Sequence, residues 1–496
     1  MKLQSELFAF PSATPARRRQ EYGLAPDEAI VDLFAGGGGT SEGFRIATGR
    51  SPDVAVNHDP VALGMHEANH PDTLHLTSSV YAVNPDDVVP GRPIGILWSS
   101  PACTHFSSAK GGAPLDKGIR DLAWVVVHWA ERRRPRVILV ENVPAFSTWG
   151  PLLENNRPDK TKAGEEFQRW TSALRRLGYA VETRVLVCAD YGVPSTRERL
   201  FVQARCDGLP IVWPAATHGR PDLPSVVSGR LAPWVTAAEI VDRTLPVHSI
   251  FMTPEEVRAR KARVRRPLVP RTQARIAKGV YRYTIEDERR LLMNGMGGDI
   301  IVPVTHASSL RVCDGRRPMP TITTGKGGEY AWCDLRIVTG SVTMFNQNSV
   351  GRSLGEPIGA VLAGAPRFGY VESGLSEEPV DRTEDVRRFL WDHREHARRP
   401  VDIDTVGSVM VQGRRMWIAD IGLRMFTPRE LFDASSFPPD YEIERPSGAL
   451  KGMLLSKEQS IHLAGNAVPP LMSAALVTAA VTGRPDVPAR NWRLAA

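Results

Sequence analysis

The chain has few cysteines and no pairing pattern among them. Cys103, Cys188, Cys206, Cys313 and Cys333 are five in number, scattered, and never spaced as a Cys-x-x-Cys pair. An odd, dispersed set argues against a disulfide framework and against a structural zinc, and fits a reducing cytoplasm. No unbroken run of about 18 apolar residues is present, so no membrane span is expected. The opening MKLQSELFAFPSATPARRRQ lacks the apolar core of a secretory signal. Two phosphate-binding patterns are missing as well. In the glycine run Gly36–Gly39 the third glycine of G-x-G-x-x-G would fall on Ser41 or Glu42, and Gly39-Thr40 lacks the lysine of a phosphate loop.

What is present is a long, ordinary globular composition. With 496 residues, of which 42% are hydrophobic and 24% charged, the chain is expected to form two or three domains. A net charge of +7 permits a polyanionic partner without demanding one.

From residue 29 the pattern alternates. The apolar run Ala29–Ala35 ends in the glycines and is followed by a helical stretch from about Thr40. Val54–Val56 ends at Asn57-His58-Asp59, and Pro60 starts a helix at a first-turn position. Ile94–Trp98 leads into SSPACTHFSSAKGG, with Cys103 at its centre. A helical stripe follows over Ile119–Arg133, closed by the cations Arg132–Arg134, and Val137–Val140 then stops at Glu141. A helix over Glu165–Leu177 and strands over Val181–Cys188 and Leu200–Ala204 complete the set. This spacing predicts an α/β fold with a doubly wound, mostly parallel sheet. Ligands of such sheets bind at the carboxyl ends of strands, where Gly36, Asn57, Cys103 and Glu141 all fall.

After about Pro210 the texture changes to prolines, arginines and short β-like runs. Glu255–Gly279 carries nine basic residues. Arg317–Asp334 and Gly355–Glu372 read as a degenerate repeat, with Pro318 matching Pro357, Ile322 matching Val361 and Gly325 matching Gly364 at an offset of 39 residues. A β-rich module built from a repeated hairpin is expected. Regular α/β texture returns near Ile421 and ends in a helix over Ala467–Thr482.

Each chemical signal has a plain alternative. The glycine run is either a loop allowing close approach of a ligand without a phosphate, such as S-adenosylmethionine, or a structural turn. Cys103, beside Thr104, His105, Ser107 and Lys110, is either a nucleophile or a small buried hydrophobe. Glu141 ends an apolar strand, where a lone carboxylate needs a partner, and Arg197 or Arg199 could supply it.

The order of these blocks resembles the DNA (cytosine-5) methyltransferases. VDLFAGGGGTSEGF, SSPACTHFS, VENV, ADYGVPSTRERLFV, FTPRELFDASSFPPDY and LAGNAVPP occur in the sequence typical of that family, over roughly 1–205 and 420–482. The proline-threonine repeats between them resemble those of phage and prophage members. The resemblance implies a methyltransferase domain of Rossmann-like α/β class with a second, β-rich target-recognition domain. It implies Cys103 as the nucleophile toward carbon 6 of a flipped cytosine, Glu141 engaging ring nitrogen 3 and the exocyclic amine, and Arg197 and Arg199 as the basic pair, the second steadying Glu141. It implies an S-adenosylmethionine site formed by Phe34, Ala35, Gly36, Gly38, Asn57, His58, Ser79, Val80 and Ser100, completed by Asn466 and Val468. Ser107, Arg263, Arg265, Arg266 and Lys326 would contact double-stranded DNA, and no metal is implied.

Four positions depart from the family pattern. Asn57 stands where an acidic residue for the ribose hydroxyls is usual, and Ser79 where an aspartate for the adenine amine is. The proline lies two residues before the cysteine, at Pro101, and Ser195 replaces a glutamine. The implied organisation is a mobile or loosely attached lead-in over 1–28, a catalytic domain over 29–210, a target-recognition domain over 211–420, a C-terminal return over 421–484 and a tail over 485–496. A cytoplasmic DNA methyltransferase is expected, of a bacterial or phage-infected cell, with a cognate restriction or further-modifying enzyme as an open partner. An RNA cytosine-5 methyltransferase and a catalytically silent DNA-binding relative are the alternatives.

Overall fold

The computed structural model describes residues 21–101, 121–153, 158–286, 300–303, 313–314, 330–336, 339–344, 368–376, 378–380, 382–411 and 414–488. The first sheet is built from β1 (Ala29–Leu33), β2 (Val54–Asn57), β3 (Leu74–Thr77), β4 (Ile94–Ser99), β5 (Val137–Asn142), β6 (Ala180–Val187) and β7 (Glu198–Arg205). Their order across the sheet is β3-β2-β1-β4-β5-β7-β6. β7 runs antiparallel to both its neighbours, and the pairs β1–β2, β2–β3, β1–β4 and β4–β5 are parallel. β1, β4 and β5 are buried on both faces, which is why they read as unbroken apolar runs. Chain order reverses between β1 and β4, and that switch point is where such sheets take ligands.

Helices α1 (Gly39–Thr48) and α2 (Pro60–Asn69) follow β1 and β2. The α1 helix lies against the distant helix Pro470–Thr482, close enough that a Cβ at Gly43 would sit 2.0 Å from Ser473 Oγ. Lys457–Thr482 as a whole is long and apolar enough to cross a membrane, by length and composition. It breaks at Ala467–Pro469, and 83% of its most apolar window is buried inside the protein, so its hydrophobicity is that of a core element.

A small pair, β8 (His218–Gly219) with β9 (Ala232–Pro233), precedes the second sheet. That sheet comprises β10 (His248–Ser249), β11 (Ile300–Pro303), β12 (Cys313–Asp314), β13 (Tyr330–Arg336), β14 (Thr339–Met344), β15 (Phe368–Ser376), β16 (Ser408–Val411) and β17 (Arg414–Met425). The closing strands of the two repeat units lie side by side here: β13 pairs with β15 in parallel, Asp334 opposite Glu372. The matched positions Pro318, Ile322, Gly325, Pro357, Val361 and Gly364 lie outside the described residues.

Three expectations need correction. Ile421 belongs to β17 of the second sheet, so α/β texture returns at Pro428 with the helix Pro428–Ala434. The helix expected from Ile119 begins at Trp124, after a single tight turn over Asp121–Ala123. Residues 21–28 of the lead-in are anchored rather than loose. Tyr22 Oη donates to the Pro210 carbonyl at 2.9 Å, and Glu28 pairs with Arg136 at 2.6 Å.

Candidate active site

The chain leaves β1 in an unusual conformation. Phe34 has φ 60, in the left-handed region that side chains rarely adopt, and Gly38 follows with φ 97 as the N-cap of α1. Close packing explains two of the glycines. A Cβ at Gly38 would lie 2.0 Å from Tyr441 Oη, and one at Gly39 would lie 2.1 Å from the Val468 carbonyl oxygen. Gly36 is different, because a Cβ there would meet nothing within 4 Å. The loop is therefore clamped from behind while Gly36 faces open space.

Neighbouring strand ends bring the other predicted residues to the same edge. Asn57 closes β2 and bridges two loops: its Nδ2 donates to the Ala35 carbonyl at 2.8 Å, and its Oδ1 accepts from Asp59 N–H at 3.0 Å. One lone pair of that oxygen is thus committed to the backbone. His58 and Ser79 are exposed and Val80 is buried. Ser100 N–H donates to the Leu33 carbonyl at 3.3 Å, and its Oγ accepts from Trp98 Nε1 at 2.8 Å. Val468 reaches this edge through its contact with Gly39, and Asn466 is exposed at the end of the helix Lys457–Asn466.

A second cluster forms at the end of β5. Glu141 and Asn142 lie within the strand, not after it. Glu141 is buried, with Oε1 at 3.0 Å from Arg199 Nε and 3.7 Å from Arg197 Nη2. The antiparallel run of β7 beside β5 makes this possible, since it returns the RER segment to the strand end that carries the carboxylate. Arg197 also donates to the Gly465 carbonyl at 2.9 Å, joining the cluster to the LAGN block. Ser195, in place of the family glutamine, accepts from Arg197 N–H at 3.2 Å. Asn142 Nδ2 donates to the Pro101 carbonyl at 3.1 Å, which ties β5 to the start of the cysteine segment. Cys103, Ser107 and Lys326 lie outside the described residues.

Cys188 sits within the field of the same cluster. Burial pushes its thiol up to about 12, against the opposing pull of Arg197 and Arg199, so it stays a thiol at neutral pH.

The basic stretch divides in two. Arg258, Arg260, Lys261, Arg263 and Arg265 are exposed. Arg266, expected at DNA, instead points inward: Nε donates to the Ser249 carbonyl at 2.8 Å and Nη2 to the His248 carbonyl at 2.9 Å. Its burial pushes the guanidinium down to about 10. Arg275 is also buried and pushed down to about 10 by burial. In the same domain His393, Glu395 and His396 offer ligand atoms within 4.8 Å of one another. Lys278 and Arg282 act electrostatically on His396, which disfavours a cation there.

Sequence reasoning overlooked a buried chain of polar groups behind the glycine loop. Ser41 Oγ donates to Asp32 Oδ2 at 3.0 Å and lies 2.7 Å from His66 Nε2, and His66 Nδ1 lies 2.8 Å from His75 Nε2. While Asp32 is ionised the single Ser41 proton goes to it, so His66 Nε2 donates and His66 Nδ1 accepts. Burial raises Asp32 to about 7, with the Ser41 hydrogen bond opposing. Burial also holds His66 well below its usual value and lowers His70 to about 4. The signal was legible: Asp32 is a lone carboxylate inside AIVDLFA.

Residues 29–225 match the family described as C-5 cytosine-specific DNA methylase. These residues form a domain of that family. Among similar proteins, the type II methyltransferase M.AgeI of Thalassovita gelatinovora is 31% identical over 195 residues, 38% of this chain and 42% of that protein. M.XorII of Xanthomonas oryzae pv. oryzae is 33% identical, over 36% of this chain and 41% of that protein. M.AquIA of Picosynechococcus sp. is 27% identical, over 39% of this chain and 78% of that protein. The chain thus spans less than half the length of the first and second of these relatives. The methylase domain holds both the glycine loop and the Glu141 cluster. Tyr441 and Val468, which complete the loop's surroundings, come from beyond the matched residues.

Proposed function

We propose that the protein transfers a methyl group from S-adenosylmethionine to carbon 5 of cytosine in duplex DNA. The observation that carries this reading is the buried Glu141, held by Arg199 and Arg197 and joined through Asn142 to the segment bearing Cys103, inside a C-5 cytosine methylase domain.

Inside a duplex the target base is stacked and out of reach of a thiol, so it must leave the stack at a cost of about a few kcal/mol. Exposed cations such as Arg263 and Arg265 would help offset that cost through phosphate contacts. The Cys103 thiolate would then form a bond to carbon 6, breaking the 5,6 double bond and making carbon 5 nucleophilic. Glu141 would engage ring nitrogen 3 and the exocyclic amine, stabilising the electron-rich ring, while Arg199 fixes its carboxylate. Once carbon 5 carries the methyl group, loss of its proton to water, with departure of the Cys103 thiolate from carbon 6, would restore the double bond. Two arginines around one carboxylate serve this role because the carboxylate must be oriented in a site that excludes water.

S-adenosylmethionine, when bound, supplies the methyl group as an electrophile. The strand-edge residues fit such a ligand: Gly36 faces open space, the partly exposed Phe34 offers apolar surface, and the glycine run carries no lysine for a phosphate. Phe34, Gly36, Asn57, Ser79 and Val468 would hold it. Asn57 keeps one free lone pair on Oδ1 for a ribose hydroxyl, with no negative charge, which also leaves room for a modified cofactor.

Glu141→Gln separates chemistry from binding. The variant is expected to lose methyl transfer to duplex DNA by about 100-fold or more while DNA affinity changes little. Equal loss of both, measured by labelled-methyl incorporation and by fluorescence anisotropy, would make Glu141 a structural residue and overturn the reading. Preferential methylation of RNA in the same assay would overturn the substrate.

A further inference from the structure

Tyr441 closes the back of the glycine loop from more than 400 residues away in the chain. It belongs to the FPPDY segment that follows the helix Pro428–Ala434, and only 5% of its surface is exposed. Its hydroxyl donates to the Gly37 carbonyl at 2.7 Å, and His70 Nε2 lies 3.4 Å from the same oxygen. The His70 ring is held in turn by Ser51 Oγ at 2.9 Å from Nδ1. Phe437 supports the phenol from the other side, edge-on, with ring centroids 4.8 Å apart. The next residue, Gly38, admits no side chain because of this hydroxyl. Tyr441 therefore faces the buried side of a peptide whose other neighbour, Gly36, faces the open recess.

A carbonyl at the turn of a glycine run has little else to fix it. Gly38 sits in the left-handed region, and the flanking glycines give the peptide planes freedom to rotate. Without the phenolic proton the Gly37 carbonyl would be buried and unsatisfied, and rotation toward another donor would move Gly36 with it.

We propose that Tyr441 is a positioning residue for the cofactor recess: its hydroxyl sets the Gly37–Gly38 peptide, so the C-terminal return segment tunes how tightly S-adenosylmethionine is held. This rests on the cofactor reading given above. Tyr441 does not touch the ligand; it acts through the loop, with His70 orienting the hydroxyl.

The test compares two losses of one hydroxyl in the full-length protein. Tyr441→Phe removes the hydrogen bond to Gly37. Tyr191→Phe removes a similar buried bond, from Tyr191 Oη to the Pro214 carbonyl at 3.1 Å, away from the loop. Calorimetric titration with S-adenosylmethionine is expected to give about 5- to 10-fold weaker binding for Tyr441→Phe, the range of one hydrogen bond. For Tyr191→Phe, affinity is expected to stay within about two-fold of wild type. At saturating S-adenosylmethionine, kcat of Tyr441→Phe should stay near wild type while KM for the cofactor rises. Unchanged affinity in Tyr441→Phe, or equal weakening in both variants, overturns the proposal. A wild-type protein that binds no S-adenosylmethionine overturns the cofactor reading itself, a result distinct from a binding wild type with an unaffected Tyr441→Phe.

Discussion

Asp32 makes the clearest demand on single-residue chemistry. In the native protein burial holds its pKa near 7, whereas in the unfolded chain the carboxyl returns to about 3.8. Between these values the native state binds the extra proton, so the stability contributed by Asp32 is present below about pH 4 and declines as pH rises toward 7. His66 and His70 act in the opposite sense: both are depressed by burial, so charging them costs stability as pH falls below about 6.5. Asp32→Asn removes only the first effect. Its stability relative to wild type, read from thermal melts, is expected to rise as pH goes from about 4 to 7, by about 1.4 kcal/mol per unit of pKa difference at most. A difference that stays constant with pH would show that Asp32 is ionised throughout. At this scale the sequence was legible in half. Glu141 stood out because its carboxylate ends an apolar run and two arginines were at hand. Asp32 carried the same signal, but its partners Ser41 and His66 sit on different helices, and adjacency of helices is not written in local spacing.

At the scale of elements, a buried pair joins the second sheet to the helix that follows it. Arg424 at the end of β17 meets Glu430 of the helix Pro428–Ala434, with Nη2 at 2.7 Å from Oε1 and Nη1 at 3.0 Å from Oε2. The same carboxylate accepts from Asp242 N–H at 2.9 Å and Thr427 N–H at 2.8 Å, so it caps the helix and holds the incoming chain. Removing one partner of a buried, hydrogen-bonded pair leaves a charge behind, which costs about 3–5 kcal/mol. Glu430→Ala is expected to lose on the order of 3 kcal/mol in urea unfolding. A loss below about 1 kcal/mol would mean that water replaces the carboxylate. Strand–helix alternation was legible for β1, β2, β4, β5 and β7, whose apolar runs are buried, and for β6, which pairs with β7 at the sheet edge. β3, only Leu74–Thr77 and partly exposed, was missed because four half-polar residues carry no periodic signal. The parallel pairing of β13 with β15 was not legible either, because a repeat predicts similar units and leaves their register to packing.

At the scale of the molecule, two separated stretches of sequence assemble one candidate site. The methylase domain supplies the glycine loop and the Glu141 cluster, while residues after β17 return to seal the loop through Tyr441 and Val468 and to receive Arg197 at Gly465. The block order made this assembly legible in outline; which residues touch came only with the fold. The central claim is that the assembly serves a covalent attack by Cys103 on cytosine, and trapping that adduct tests it most directly. Full-length protein would be incubated with S-adenosylmethionine and mixed-sequence duplex DNA containing 5-fluorocytosine, then resolved on a denaturing gel. Because fluorine at carbon 5 cannot leave as a proton does, the account predicts a denaturation-resistant protein–DNA band for wild type and none for Cys103→Ala. Absence of the band in every sequence context, or its persistence in Cys103→Ala, would contradict it.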